Sequence, residues 1–105
     1  MRESELAEAA TMLRRVLAVR QQVLGENHIA TGEGRYTLGL LHLYAGESGA
    51  AQRNVGAAAE VYAQHLGDDH PSTRDVRHVL SCIDDAIATG DESGGLPPAL
   101  MAKRS

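Results

Sequence analysis

Leu24-Gly25-Glu26-Asn27-His28 returns 42 residues later as Leu66-Gly67-Asp68-Asp69-His70. The same offset relates six further pairs of identical residues on both sides of these segments: Ala9 with Ala51, Val19 with Val61, Gln22 with Gln64, Thr31 with Thr73, Arg35 with Arg77, and Leu38 with Leu80. Because one register extends through both flanks, we interpret the two segments as equivalent loops of an internal repeat.

Residues around the two loops recur with the period of an α-helix, about 3.6 residues per turn. One helical face begins at Ala9 and returns at Ala51, and a second begins at Gly34 and returns at Val76. In chain order the four faces are Ala9, Leu13, Val16 and Arg20; Gly34, Leu38, Leu41 and Ala45; Ala51, Val55, Ala58 and Tyr62; and Val76, Leu80, Ile83 and Ile87. This pattern predicts an all-α fold of about four helices, near 4–24, 30–45, 48–66 and 72–89, arranged as antiparallel hairpins.

Residues with known positional preferences lie at the predicted helix ends. Ser4 is a suitable N-cap, and Pro71 fits the first turn of the last helix because that turn needs no N–H. Gly25 and Gly67 stand where a helix can close with a left-handed residue. Gly46-Glu47-Ser48-Gly49 predicts the short turn of a helical hairpin.

Glycines weaken the second predicted helix. Gly32, Gly34 and Gly39 each cost about 0.5–1 kcal/mol relative to Ala in a helix interior, so the start of this helix could fray. Residues 90–105 are rich in Gly, Ser, Pro and charged residues, and they predict a disordered tail after one domain at 1–89.

Composition narrows the class of protein. The chain has 105 residues, a formal net charge of −4 and one Lys, so we expect no nucleic-acid binding as its main activity. The single cysteine, Cys82, favours a reducing compartment. We find neither a secretory leader nor an apolar run of the roughly 18–20 residues that span a bilayer. These features predict a cytoplasmic protein that does not bind membranes.

The repeat resembles a known family. The residues Leu38-Gly39, Gly46, Ala51, Val55 and Ala58 are similar to the signature of the tetratricopeptide repeat, and Leu66-Gly67-Asp68-Asp69-His70-Pro71 is similar to the loop of its kinesin-light-chain type. The first loop ends with Ile29 instead of Pro, and His42 and Asp84 replace the usual aromatic residue after the Leu-Gly pair. The resemblance implies a short α-solenoid over about residues 5–88 that binds other proteins without a cofactor.

The order of the helices implies incomplete repeats at both ends. Within the family pattern, only the region near 30–66 is a complete hairpin, and half repeats flank it. Roughly three repeats are usually needed for a stable stack. We therefore expect a piece of a longer array or a chain that completes itself by association through its end helices.

No set of side chains predicts catalysis or a metal site. The resemblance assigns His28 and His70 to ordering the turns before helices, and His65 replaces a Val of the other copy. Cys82 is expected to be a partly buried thiol without a cationic partner. We therefore expect no enzyme, no cofactor and no metal.

A peptide groove is the remaining candidate site. In this family the first helix of each repeat lines the concave face, which places eight residues along the expected groove: Glu33, Tyr36, Leu40, Tyr44, Asp75, His78, Cys82 and Asp85. Two Tyr and a Leu on a polar side are typical of interface anchors, and the carboxylates favour a basic or neutral ligand. The alternative is an ordinary solvated helix face.

These observations leave two functional hypotheses. The first is a protein-interaction module or scaffold whose groove binds a peptide segment or a partner helix. The second is an inactive C-terminal helical appendage of a larger enzyme, similar to those of SET- and MYND-domain methyltransferases or signalling ATPases, and the half repeats motivate it.

Overall fold

The computed structural model describes residues 3–90, including the side chains of residues 4–90. Four helices follow one another in this range: α1 at Glu3–Leu24, α2 at Ile29–Tyr44, α3 at Ser48–Leu66 and α4 at Pro71–Thr89. Each helix packs against the next one along the chain. The all-α prediction is confirmed, and every helix boundary lies within one residue of its predicted position.

The connections between the helices explain most of these boundaries. Gly25 and Gly67 have φ values of 89° and 90°, a region that favours glycine. Pro71 occupies the first turn of α4 as predicted. The N-cap prediction for Ser4 is wrong, because α1 already includes Glu3 and therefore Ser4 lies inside the helix.

Three helices share the main core. Side chains of α2, α3 and α4 form one buried cluster of aliphatic residues and one tyrosine: Leu43, Ala51, Val55, Ala58, Ala59, Tyr62, Val76, Val79 and Ile83. The absence of Phe and Trp from the sequence explains why this core relies on short aliphatic side chains. The face predicted for α3 is buried completely in this cluster.

The helix α1 is attached through a second, smaller cluster. Ala10 and Leu17 of α1 are buried with Leu38 of α2, and Leu13 and Leu41 pack beside them. The face predicted for α1 is therefore partly wrong, since Val16 is exposed. On α3 the equivalent residue, Ala58, is covered, whereas nothing within residues 3–90 covers Val16.

The glycines of α2 mark close contacts between helices. A Cβ atom added to Gly39 would lie 2.6 Å from Val55 Cγ2 and 3.2 Å from the Val55 backbone nitrogen. A Cβ atom on Gly32 would lie 2.9 Å from Val61 Cγ1. Glycine therefore permits the approach of α2 to α3 at a cost in helix propensity.

The start of α2, which the glycines were expected to weaken, is held by side chains. The Thr31 hydroxyl donates to the Gly25 carbonyl at 2.8 Å, and the Arg20 guanidinium donates to the Ala30 carbonyl at 2.8 Å. At the far end of the fold, Gly90 closes α4 in a left-handed conformation. The remainder of the predicted tail lies outside the described residues. Among the four helices, none has a stretch apolar and long enough to cross a bilayer.

Candidate protein-interaction surface

The eight predicted groove residues lie on α2 and α4, the two helices that pack on either side of α3. Five of them are exposed: Glu33, Tyr44, Asp75, His78 and Asp85. The other three, Tyr36, Leu40 and Cys82, are half-buried. The set therefore combines exposed side chains, three of them carboxylates, with half-buried groups, of which Tyr36 and Leu40 pack against the main core.

Tyr36 is the best-defined member of this set. Its ring meets the ring of Tyr62 edge to face, with the centroids 6.1 Å apart and an interplanar angle of 76°. Burial, and then the negative charge of Asp75, raise the pKa of Tyr36. Burial, followed by the charges of Glu33 and Tyr36, raises the pKa of Tyr62. Glu33 and Asp75 are therefore close enough to act electrostatically on this tyrosine pair, from two different helices.

The remaining groove residues differ in their burial and in their contacts. Leu40 packs against the main core, and Tyr44 is 55% exposed near the end of α2. On α4, the Cys82 sulfur lies 3.9 Å from His78 Nε2, one helical turn away. The neighbour of Asp85, Asp84, accepts a hydrogen bond from the Gln52 amide at 2.6 Å, whereas Asp85 is exposed.

The two loops of the sequence repeat contain the same contacts. His28 Nδ1 accepts a hydrogen bond from the Ala30 backbone N–H at 3.0 Å, and His70 Nδ1 accepts one from Ser72 at the same distance. Each ring caps the helix that follows, α2 or α4. This geometry agrees with the structural role that the family resemblance assigned to both histidines.

An ion pair also spans each loop. The Arg35 guanidinium contacts Glu26 at 2.5 Å, and the Arg77 guanidinium contacts Asp68 at 2.8 Å. Each arginine lies nine residues after its acid, and both acids are largely exposed, so these pairs position the loops more than they stabilise the fold.

Two further histidine contacts were not predicted from the sequence. His65 Nε2 hydrogen-bonds the Asn27 carbonyl and so joins the end of α3 to the first loop. His42 Nδ1 lies 2.8 Å from a carboxylate oxygen of Glu47, across the hairpin turn. Both pairings depend on the fold, which brings distant or turn residues together. Among residues 3–90, no group of three or more His, Cys, Asp or Glu could hold a metal ion.

Two surface features lie outside the predicted groove. A cleft of about 420 Å³ runs between α1 and α2, and its lining includes Ala10, Arg14, Leu41 and Glu47. An exposed apolar stripe also follows the outer side of α1. Its four members, which are between 44% and 74% exposed, are Met12, Val16, Val19 and Val23.

Comparison with known proteins supports the repeat interpretation for part of the chain. A family model described as tetratricopeptide repeat matches residues 4–30, which contain α1 from its second residue, the loop that follows it and the first two residues of α2. Neither the comparison with curated proteins nor the comparison with solved structures found a match. The family match and the four packed helices identify a helical repeat of the protein-interaction type.

Proposed function

We propose that this chain is an interaction module that binds a peptide segment or a partner helix along α2 and α4. The observation that carries the proposal is the surroundings of Tyr36. Its half-buried ring meets the ring of Tyr62 edge to face, and the two rings sense charges from two helices, Tyr36 that of Asp75 and Tyr62 that of Glu33. A rigid aromatic group with a polar rim is the usual composition of a binding hot spot.

The charges of this surface favour a particular ligand. Glu33, Asp75 and Asp85 are all exposed carboxylates on the proposed groove. The one lysine of the sequence is Lys103, well separated from the groove residues along the chain. An acidic groove attracts basic or neutral segments and repels acidic ones. We therefore infer that the ligand is a peptide segment with Lys or Arg beside an apolar side chain.

We also infer that the repeat is of the kinesin-light-chain type, with a period of 42 residues. Three features support this assignment, because each occurs in both loops: the glycine with positive φ, the histidine cap and the acid–arginine pair. A scaffold role in the cytoplasm is part of the same proposal.

A selection experiment tests the groove. The immobilised 105-residue chain is used to select from a random-sequence peptide library, and the charges of the selected peptides are compared with those of the unselected library. We expect enrichment of basic peptides. Asp75→Lys should weaken their binding roughly three- to tenfold, because it replaces attraction by repulsion at an exposed site.

Glu60→Lys is the matched control, since Glu60 is an exposed acid on α3 outside the groove. It should leave the affinity unchanged. Selected peptides that bind Asp75→Lys and Tyr44→Ala as tightly as the unmodified chain would show that the groove assignment is wrong.

A further inference from the structure

We propose that the segment after α4, residues 91–105, binds back into the groove of its own chain and competes there with external peptides. The proposal rests on the proposed function, because it names a second occupant of the same groove. Within the segment, Leu100-Met101-Ala102-Lys103-Arg104 places apolar side chains next to two basic ones. The acids of the segment, Asp91 and Glu92, come at its other end. An acidic groove favours a ligand of this composition.

The charges at one end of the groove are complementary to this segment. Glu33 and Asp75 are exposed carboxylates near the starts of α2 and α4, and both act on the tyrosine pair. Two arginines of the same helices, Arg35 and Arg77, pair with acids of the loops. Arg74 is exposed beside Asp75, and the two carboxylates outnumber it. This end of the groove therefore attracts a basic segment.

Apolar groups lie beside these carboxylates. Tyr36 and Leu40 pack against the main core but are only half-buried, so part of each side chain remains in contact with solvent. Leu100 and Met101 precede the basic residues of the segment by two to four positions. Their contact with the groove would remove apolar surface from water on both sides.

The segment is long enough to reach this end of the groove. Asp75 lies 14 residues before Thr89, which is about 21 Å along the axis of α4. Lys103 lies 13 residues after Gly90, a length that spans up to about 43 Å. Gly94-Gly95 allows the chain to reverse its direction. The segment therefore binds antiparallel to α4, with its basic end at Asp75.

The apolar stripe of α1 is a poorer site for this segment. Arg14 and Arg15 are exposed on α1 and would repel the basic end. The groove, in contrast, includes α4, the helix from which the segment continues.

Attachment to α4 compensates for a weak contact. Two exposed ion pairs and two partly covered apolar side chains would give separate molecules a dissociation constant of about 0.1–1 mM. A short linker holds the segment at an effective concentration of about 1 mM. The segment therefore occupies the groove in about half or more of the chains, and external peptides lose about two- to tenfold in affinity.

NMR of the full 105-residue chain tests the contact. We compare the backbone amide signals of the unmodified chain with those of a double variant, Lys103→Glu with Arg104→Glu. The signals of Glu33, Tyr36 and Asp75 should differ because the segment leaves the groove, whereas those of α1 should stay the same. Salt at about 1 M, which shortens the Debye length to about 3 Å, should move the signals of the unmodified chain toward those of the double variant.

Reversing the charges of the groove provides a second test, for which the Tyr36 signal is the readout. Glu33→Lys with Asp75→Lys should release the segment, and combining these changes with the double variant of the segment should restore the contact. Glu60→Lys changes an exposed acid of α3 outside the groove, and Ser93→Glu adds a negative charge to the segment away from its basic end. Neither control should move the Tyr36 signal.

Identical Tyr36 signals in the unmodified chain and in the double variant would overturn the proposal. A difference confined to α1 would also overturn it, because the segment would then bind the stripe. So would a difference that disappears on dilution, because the segment would then bind a second copy.

Peptides selected with the groove separate this proposal from the proposed function. They should bind the double variant of the segment about two- to tenfold more tightly than the unmodified chain. Equal affinity for both chains would show that the segment does not compete, and the proposed function would stand without it. If the library yields no groove-binding peptide while the Tyr36 signal still responds to the double variant, the proposed function fails and the contact of the segment stands.

Discussion

The α1–α2 and α3–α4 interfaces are related by the 42-residue offset of the sequence, yet they distribute side-chain volume in opposite ways. In the first interface Leu17 faces Gly34, whose added Cβ atom would lie 3.2 Å from Leu17 Cδ1. The equivalent positions of the second interface hold Ala59 and Val76, both buried in the main core. The larger residue therefore lies on α1 in the first interface and on α4 in the second. The comparison shows that two helix contacts can hold a similar side-chain volume with the large and small residues exchanged.

A second difference concerns what surrounds each interface. The α3–α4 contact is continuous with the α2–α3 contact, so its residues belong to the main core. The α1–α2 contact forms a cluster of its own, with three buried residues. We therefore expect α1 to be the least strongly attached helix of the described chain.

Exchanging the large and the small residue of the α1–α2 interface should produce the largest change in the free energy of unfolding. Leu17→Ala should reduce the free energy of unfolding by about 2–4 kcal/mol, because it leaves a cavity beside Gly34. Gly34→Val alone should reduce it by about 1–3 kcal/mol through overpacking. The double variant recreates the Ala59–Val76 arrangement and should be more stable than the sum of the two changes predicts, by about 1–2 kcal/mol.

Urea unfolding of the unmodified chain, the two single variants and the double variant, monitored by circular dichroism, measures this coupling. Strict additivity of the two changes would mean that Leu17 and Gly34 do not share one packing site, and the comparison of the two interfaces would fail.

The α2–α3 contact offers a test of intermediate size. Gly39→Ala should destabilise the fold by about 1–3 kcal/mol, because the new methyl group meets Val55 and its backbone. Gly56→Ala is the matched change on α3, where the nearest atom is Leu80 Cδ1 at 3.9 Å. There the higher helix propensity of Ala should stabilise the fold by about 0.5–1 kcal/mol. Thermal unfolding of both variants should show shifts of opposite sign, and equal shifts would contradict the close approach at Gly39.

The smallest expected effect distinguishes Tyr36 from His78, the residue that lies 42 positions later in the sequence. The folded state raises the pKa of Tyr36, chiefly through burial and then through Asp75, so it favours the protonated phenol. Stability from this group is complete below the ordinary tyrosine pKa of about 10 and is lost as the pH rises through the folded pKa.

Unfolding experiments between about pH 9 and pH 11.5 should therefore show declining stability. Tyr36→Phe should make the decline shallower, while His78→Phe should not change it. An identical slope for all three chains would show that the tyrosine pair does not sense its surroundings.

The helices and most of their packing faces could be predicted from the sequence because local signals set them. Helical periodicity located all four helices, and it placed Leu38 and Leu41 on one face of α2, which the structure packs against α1. Ser4 was misassigned because capping preferences resolve a helix start only to within a residue or two. The exposure of Val16 could not be predicted, since periodicity indicates an apolar face and not whether a second helix covers it.

The candidate site could be predicted less completely from sequence patterns. Helical spacing placed the groove residues on two helices, but the ring contact of Tyr36 with Tyr62 joins positions 26 residues apart and depends on the tertiary fold. A glycine in α2 has a predictable cost in helix propensity, but the contact of Gly39 with Val55 of α3 depends on the tertiary fold. Such effects belong to pairs of surfaces and leave no local pattern.

The histidine caps also fix the chemistry of their rings. Because Nδ1 of His28 and of His70 accepts a backbone hydrogen bond, each neutral ring must carry its proton on Nε2. No lone pair on either ring then remains for a metal ion or an electrophile. Any reagent that coordinates or alkylates Nδ1 must first release a backbone amide of α2 or α4. The reactivity of these two rings therefore reports the opening of the helix turns that they close.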